Sequence, residues 1–245
     1  LKSCIREIFQ RHETLRTVFG SEDGQPYQLI LPQVEISLPV MDLRGLPEPE
    51  RRNEVARLSI EQARLPFDLS NGPLIRLLAL FLRDEETVVL VNVHHIVADG
   101  WSVGVLVYEL SLLYASFLEG HPSPLPPLQI QYADYAVWQR QHLQGASLDN
   151  QLEYWKLKLA DSLPLLDLPT DHPRSGKRTH NGSSYDFILP NQLTVKLRDF
   201  TQREGVTLFM TLLSVFQILL YRYCGQEDIS TGVPLANRTR AEIEN

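Results

Sequence analysis

Cysteine is scarce in this chain: two of the 245 residues, Cys4 and Cys224, are cysteines. Two cysteines build neither a disulfide framework nor a cysteine metal site, so both of these classes are excluded. Both residues stand among apolar neighbours at helical spacing, a pattern typical of small buried hydrophobic side chains. We therefore predict a protein of a reducing, cytoplasmic compartment, and we expect no bound metal.

Positive charge and long apolar runs are scarce as well. The formal net charge is −7 and no basic run exceeds two residues, which argues against a nucleic-acid partner. No 18-residue apolar stretch stands out, so the sequence predicts no membrane span, and the N-terminus lacks the pattern of a signal peptide. The first residue is Leu1 rather than methionine and already lies in a helical pattern, so we expect a piece of a longer polypeptide.

The chain contains helical and strand patterns that do not alternate strictly. Residues 1–18 show helical spacing of apolar side chains, and the polar segment 48–65 favours a helix that Pro66 closes. Two β-rich runs, PLIRLLALFL and TVVLVNVHH, flank a short polar loop and predict a hairpin. The other predicted elements are strands in YQLIL, VEISLPV, 185–189 and 229–234, and helices over 103–118 (buried), 132–143, 148–160, 191–204 and 207–223.

This mixture predicts an α/β or α+β fold, and the 43% hydrophobic content is ample for a core. The segment 171–184 is polar, rich in turn-forming residues and without periodicity, so it is the candidate linker. It would separate a first domain over 1–170 from the segment 185–245.

The stretch VNVHHIVADGWSVG (91–104) contains the strongest chemical signal. Neighbouring side chains of a strand point to opposite faces, so His94 and His95 diverge and are unsuited to holding one metal together. One histidine can then face a cavity while the other is held in the core, the alternative being two hydrogen-bonded core histidines. Asp99 and Gly100 predict a turn, after which Ser102 is the predicted N-cap of the next helix.

The same stretch also matches G-x-S-x-G, the nucleophile elbow of serine hydrolases, over Gly100–Gly104. Ser102 would then be the nucleophile. A nucleophile elbow lies directly at a strand-to-helix turn, but five residues separate the histidine doublet from Trp101. The triad partners would also have to come from downstream. The candidates for those partners are Asp167, Asp171, His172 and His180. An N-cap is therefore the favoured role for Ser102, with the hydrolase kept as an alternative.

Several stretches together resemble one known family. HHIVADG matches the H-H-x-x-x-D-G motif of chloramphenicol acetyltransferase-like acyltransferases. The Trp-Ser continuation of that motif, RHETLRTVF (11–19), YADYAVWQ (132–139) and GQEDISTGVPLANRTRAEIE (225–244) make the chain similar to a condensation domain of nonribosomal peptide synthetases. The resemblance implies a fold of two acyltransferase-like lobes around a tunnel. It identifies 1–170 as the N-terminal lobe and 185–245 as the truncated beginning of the C-terminal lobe, so we expect this fragment to be inactive by itself.

The resemblance also implies a reaction of secondary metabolite biosynthesis. In the family, the amine of an acceptor aminoacyl thioester attacks a donor acyl or peptidyl thioester and forms an amide. The implied partners are donor and acceptor peptidyl carrier proteins, which present the substrates on 4'-phosphopantetheine arms, and an adjacent adenylation domain; no bound cofactor is expected. The run after the histidines and the ANRTRAEIE ending look most like the class that joins two L-configured residues, although the class with a D-configured donor is close.

Residue roles follow from the same resemblance. His95 matches the histidine that acts as general base or orients the amine, and His94 matches its supporting neighbour. Asp99 is interpreted as structural, holding the loop through a pair with Arg238, or with Arg16 if that pair does not form. Four further residues complete the expected site: Gly100, which leaves room for substrate and offers its amide to the oxyanion, and the supporting Trp101, Trp138 and Asn237.

Three related or unrelated functions remain as alternatives. An epimerization domain shares the histidine motif but usually lacks the tryptophan that Trp101 provides. A non-catalytic recruitment module of this fold tends to lose the motif. A heterocyclization domain is excluded, because it replaces the histidines with aspartates and this chain keeps them. The serine hydrolase is the alternative from outside the family.

Overall fold

The first helix ends earlier than the apolar spacing predicts. In the computed structural model, which describes residues 1–160, 165–172, 182–238 and 240–244, α1 spans Lys2–Arg11 and a 3-10 turn spans Glu13–Arg16. His12 between them has extended backbone angles, and the β-branched residues that follow begin a strand instead. The predicted helix over residues 1–18 is therefore wrong beyond residue 11.

Strands β1 (Thr17–Glu22) and β2 (Gln25–Ile30) form an antiparallel hairpin. Its turn contains Asp23 and Gly24, both with positive φ (49° and 77°), as a tight hairpin turn requires. The Glu-Asp-Gly cluster at residues 22–24 thus makes the hairpin turn.

A three-stranded sheet contributes residues to both hydrophobic core clusters. Its order is β3 (Val40–Asp42), β4 (Ile75–Arg83) and β5 (Glu86–Val93), with β3 parallel and β5 antiparallel to β4. The predicted β4–β5 hairpin is confirmed. Helix α2 (Glu48–Arg64) connects the parallel pair, as such pairs require a crossover.

The run VEISLPV yields much less strand than predicted. Only its last residue belongs to β3, and the preceding residues are extended without ladder pairing. Pro32 precedes the run and Pro39 is its penultimate residue, and proline cannot donate to a ladder. Side chains of the run pack instead against the α1 side of the core, whose members are Cys4, Ile5, Ile8, Phe9, Leu15, Ile75, Leu77 and Leu113.

Helix α3 (Gly100–Leu118) follows the sheet, and the prediction that it is buried is wrong. Its only buried residues are Glu109 and Leu113, while Val107 and Tyr108 are exposed. By length and composition α3 could also cross a membrane, as could the bent pair of helices Asn191–Glu204 and Leu208–Cys224 taken together, so the expectation that no 18-residue apolar stretch stands out is wrong. The core helix of a soluble protein passes the same test, so this finding alone is weak evidence for a span.

The remaining helices are α4 (Tyr132–His142), α5 (Ala146–Lys158), α6 (Asn191–Glu204) and α7 (Leu208–Cys224), all close to their predicted bounds, followed by a 3-10 turn at Ala241–Ile243. Gly205 and Gly225 end α6 and α7 in the left-handed region, where glycine is favoured. Neither of the predicted strands, 185–189 and 229–234, pairs with another described segment. Since a β-strand is defined by its hydrogen-bonded neighbour, both predictions are wrong.

Packing divides the chain into two units. The first comprises Leu1–Ser147 together with Leu235–Asn245, and the second comprises Leu148–Pro234. The chain therefore leaves the first unit and returns to it. The boundary at 171–184 stays a prediction, since residues 173–181 lie outside the described residues. The predicted mixture of helix and sheet is confirmed.

Candidate active site

The histidine doublet lies just past the end of β5. The N–H of His94 donates to the carbonyl of Leu74 at 2.9 Å, and a turn follows at once, in which Val97 N–H donates to His94 O at 3.1 Å. His94 Nδ1 accepts from Ile96 N–H at 3.1 Å. This histidine is partly buried, whereas His95 is exposed and lines a cavity. Of the two histidines only His95 lines the cavity, and both lie in a turn rather than in the strand.

An aromatic ring also contacts the side chain of His94. The ring of Phe67 meets that of His94 edge-on, with centroids 5.8 Å apart. The guanidinium of Arg76 lies 3.6 Å from the Phe67 centroid. Arg76 also donates to three carbonyl groups at and after the end of α2, those of Gln62, Leu65 and Pro66. Carbonyl groups at a helix end lack intrahelical partners, and Arg76 satisfies them. These hydrogen bonds hold the guanidinium against Phe67, and Phe67 in turn contacts His94.

The first turn of α3 is closed by a reciprocal pair of hydrogen bonds. Ser102 N–H donates to Asp99 Oδ1 at 2.8 Å, and Asp99 N–H donates to Ser102 Oγ at 3.2 Å. Asp99 is therefore the N-cap and Ser102 the third helical residue, which is a capping box. The prediction that Ser102 is the N-cap is wrong, because Asp99 with its extended backbone is the last non-helical residue.

Arg238 joins this pair from far along the chain. Its Nη2 lies 3.3 Å from Asp99 Oδ1 and 2.9 Å from Ser102 Oγ, and its Nη1 donates to Ile243 O at 2.9 Å. The hydrogen bond from Ser102 holds the pKa of Asp99 below its usual value; burial opposes this, and the charge of Arg238 adds to it. Arg16 pairs instead with Glu13. Of the two candidate partners, Asp99 therefore contacts Arg238.

The two tryptophans lie at the edges of this region. Trp101 Nε1 donates to the carbonyl of Glu244 at 2.8 Å. The ring of Trp138 stacks on His142 with centroids 5.0 Å apart, and the guanidinium of Arg240 lies 4.8 Å from its centroid. Both tryptophans therefore contact the returning C-terminal segment, through Glu244 and Arg240. At Gly100 an added Cβ would meet no atom within 4 Å, so the space beside this glycine is open.

A cavity of about 350 Å³ lies within the first unit and gathers part of the predicted site. Of the nine predicted site residues it is lined by four, namely His95, Asp99, Asn237 and Arg238. The other five, which are His94, Gly100, Trp101, Trp138 and Arg16, lie outside its lining. Asn237 has a φ of 54°, a left-handed conformation that asparagine tolerates better than most residues. The cavity therefore places the predicted His95 imidazole beside the Asp99–Arg238 ion pair.

Sequence reasoning missed a buried ionic cluster next to this cavity. Glu109 Oε1 accepts from Arg11 Nε at 2.7 Å, and Glu109 Oε2 lies 2.6 Å from His12 Nε2. Burial acts to raise the pKa of Glu109, but the hydrogen bonds and charges of His12 and then Arg11 outweigh it, so that pKa is lowered. A signal was available, because Glu109 is the only charged residue in α3.

The hydrolase alternative has little geometric support. The hydroxyl of Ser102 donates to Asp99 Oδ1 at 2.5 Å, and it makes no hydrogen bond to a histidine in the described part of the chain. Asp167, Asp171 and His172 belong to the second unit, where the amide of Asp167 donates to Gln226, and His180 lies outside the described residues. Within the described ranges no group of three histidine, cysteine or acidic residues is placed to hold a metal ion.

Sequence comparison identifies a single family. The sequence model of the condensation domain family matches residues 1–245. The chain is 49% identical over 243 residues to a linear gramicidin synthase polypeptide of Brevibacillus parabrevis, a match that covers 99% of this chain and 5% of that protein. It is 42% identical over 245 residues to phosphinothricin tripeptide synthetase PhsC of Streptomyces viridochromogenes, covering 100% of this chain and 23% of that protein. The chain thus spans a small part of these relatives.

Solved structures agree with this result. The SgcC5 protein from Streptomyces globisporus is 27% identical with a TM-score of 0.77, covering 99% of this chain and 54% of that one. The X-domain from teicoplanin biosynthesis is 26% identical with a TM-score of 0.78, covering 90% and 48%. The chain therefore spans about half the length of these structures. The family match over every residue shows that the chain belongs to the condensation domain family of nonribosomal peptide synthetases.

Proposed function

We propose that this chain is part of a domain that forms an amide between two carrier-bound substrates, with His95 at the reacting centre. The observation that carries the proposal is the position of His95, whose exposed imidazole lines the cavity beside the Asp99–Arg238 pair. That pair and the capping box fix the loop between β5 and α3. An imidazole on a fixed loop can be held in one geometry relative to a bound substrate, which is what catalysis by positioning requires.

The chemistry needs few protein groups. The acceptor amine attacks the donor thioester carbonyl, a C–N bond forms, the C–S bond breaks, and the proton lost by the amine ends on the departing thiolate. A thiol with a pKa of about 8.5 is a good leaving group, and the substrate supplies the nucleophile. The Ser102 hydroxyl donates a hydrogen bond to Asp99, which fits a reaction in which no serine is acylated.

His95 can serve this reaction as a base or by orienting the amine. An imidazole with a pKa near 6.5 suits an α-amine whose pKa is about 7.7–8.0. The first N–H groups of α3 have no intrahelical acceptor, so the amide of Gly100 is the proposed donor to the oxyanion. His94 supports the turn that presents His95, while Trp101, Trp138, Arg16 and Asn237 have supporting roles.

The proposed partners are those that the condensation domain family implies. The donor and acceptor are carried on 4'-phosphopantetheine arms of peptidyl carrier proteins in a synthetase that also contains an adenylation domain, in the cytoplasm. We assign the chain to the class that joins two L-configured residues, on the sequence after the histidines and the ANRTRAEIE ending. Since the chain spans about half the length of the solved relatives, we expect residues 1–245 alone to be inactive.

The test is a single-turnover assay on a full-length domain, in which residues 1–245 are completed by the second half of a condensation domain. Donor- and acceptor-loaded carrier proteins are mixed with wild type, His95→Ala, or the matched control His121→Ala, which removes an exposed histidine. We expect dipeptidyl thioester from wild type and the control, and a loss of about 10²–10⁴-fold in the His95 variant.

Other outcomes of this assay would change the assignment. Equal product from wild type and His95→Ala would refute the role of His95. An absence of product from wild type, with carriers that a known condensation domain accepts, would favour a recruitment module. Supplying the donor in L- and D-configured forms tests the class, because the proposed class uses the L-form.

A further inference from the structure

A second imidazole lines the same cavity as His95. It belongs to His12, which lies between α1 and the 3-10 turn. Its side chain is 13% exposed, and its Nε2 lies 2.6 Å from Oε2 of Glu109. Gln131 fixes the backbone on both sides of this histidine, since its Nε2 donates to Arg11 O at 2.9 Å and its Oε1 accepts from Glu13 N–H at 3.1 Å. Both the ring and the backbone of His12 are thus held in place.

The partner of His12 is a buried carboxylate whose other oxygen accepts from Arg11. The side chain of Glu109 is 5% exposed, and Arg11, which is 12% exposed, donates to Oε1. An ionised carboxylate only accepts hydrogen bonds, so this contact selects, for an uncharged His12 ring, the tautomer with its single proton on Nε2. The nitrogen left for the cavity is Nδ1, whose lone pair is an acceptor in that tautomer.

We propose that Glu109 is a positioning residue, which holds His12 with its proton on Nε2 so that Nδ1 accepts a hydrogen bond from the acceptor amine. This inference rests on the proposed function. A neutral primary amine has two N–H groups and one lone pair. If His95 engages one N–H, the amine can still rotate about that bond. A second acceptor at His12 stops this rotation and directs the lone pair of the amine toward the thioester carbonyl. The bound amine is then held in the geometry needed for attack.

Protonation of Nδ1 would abolish this role, so the surrounding charges matter. The groups that face His12 or line its cavity come from every adjacent segment: Arg11, Glu13, His95, Asp99, Glu109, Tyr132, Tyr135, Arg238 and Glu242. Glu109 is the member in direct contact with the ring, so its replacement is the sharpest perturbation.

The variant Glu109→Gln tests the tautomer. Arg11 requires an acceptor, so the amide oxygen faces Arg11 and the amide NH₂ faces His12. That NH₂ donates to Nε2 and moves the ring proton to Nδ1, which then no longer accepts from the amine. In the full-length domain with ¹⁵N-labelled histidine, we expect the Nε2–H tautomer at His12 in wild type and the Nδ1–H tautomer in Glu109→Gln. The matched control is Glu119→Gln, beside the exposed His121, which should leave His12 unchanged.

Kinetics on the same proteins provide the second readout. Loss of one neutral hydrogen bond in the transition state predicts about a tenfold decrease in kcat for Glu109→Gln and His12→Ala. The KM for the donor carrier should stay at the wild-type value, which a general loss of structure would not preserve. An Nδ1–H tautomer in wild type, or wild-type kcat in both variants, would overturn the proposal. A wild type that makes no amide refutes the proposed function instead, and the tautomer measurement still decides whether Glu109 positions His12.

Discussion

The hydrogen bonds of Asp99 predict how much this residue contributes to the first turn of α3. Asp99→Ala removes the N-cap acceptor, which costs about 1 kcal/mol, and leaves Arg238 without its carboxylate. The side chains of Asp99 and Arg238 are 33% and 20% exposed, so the pair itself contributes at most about 1 kcal/mol. The alanine variant should therefore destabilise the turn by about 2 kcal/mol. Asp99→Asn keeps a good N-cap and should cost less than about 1 kcal/mol.

Amide hydrogen exchange measures this difference locally, without unfolding the whole domain. The amides of Ser102 and Val103 donate to the side chain and the carbonyl of Asp99, at 2.8 and 3.1 Å. A change of about 2 kcal/mol corresponds to about a thirtyfold faster exchange of these amides, and a change of about 1 kcal/mol to about fivefold. Met210, whose amide is capped by Thr207 in the second unit, serves as the internal control and should not change.

Two results would contradict this account. If Asp99→Asn exchanged as fast as Asp99→Ala, the charge of Asp99 rather than its capping role would hold the turn. If Asp99→Ala left exchange unchanged yet abolished amide formation in the full-length domain, the structural interpretation of Asp99 would be wrong and a direct part in the chemistry would replace it.

Three further predictions concern packing, the support of His94 and pH. Leu80→Ala, at a fully buried position of β4, should lower the free energy of unfolding by about 2–5 kcal/mol, measured by urea denaturation of the full-length domain. Arg76→Met should release the ring of Phe67, and the ¹⁵N resonances of His94 should then broaden, whereas those of the exposed His121 should not. Because folding lowers the pKa of Asp99 from 3.8, its stabilisation of α3 is fully present above that pH and is lost as pH falls through the lower folded value. Protection of the first-turn amides, corrected for intrinsic rates, should fall accordingly below about pH 4 in wild type and show no such step in Asp99→Asn.

Local patterns predicted most of the helices and one hairpin. The segments that became α2, α6 and α7 combine helical spacing with a proline or glycine at the end, and these signals depend only on neighbouring residues. The run VEISLPV failed because pairing, rather than propensity, decides whether a β-rich segment becomes a strand. The same reason applies to 185–189 and 229–234.

The site was predictable in part. The resemblance to the family, which the comparisons confirm, suggested the pair of Asp99 with Arg238, although 139 positions separate them in the chain. The capping roles of Asp99 and Ser102 were inverted, because both are good N-cap residues and only the backbone angles distinguish them. The cluster around Glu109 was missed, since its partners at the end of α1 are 97 and 98 positions away.

The return of the chain to the first unit has a consequence for the order of folding during synthesis. The β4–β5 hairpin, the histidine turn and α3 pair with one another and with earlier segments of the chain, so these contacts can form once residues 1–118 are available. Arg238 is added later, after a further 120 residues, or about 6–24 seconds at usual rates of translation. Until then Asp99 carries an unpaired negative charge beside the nascent cavity. During synthesis the capping hydrogen bonds between Asp99 and Ser102 can therefore form before the Asp99–Arg238 ion pair. A nascent chain stalled before residue 238 should show the capping hydrogen bonds without the ion pair.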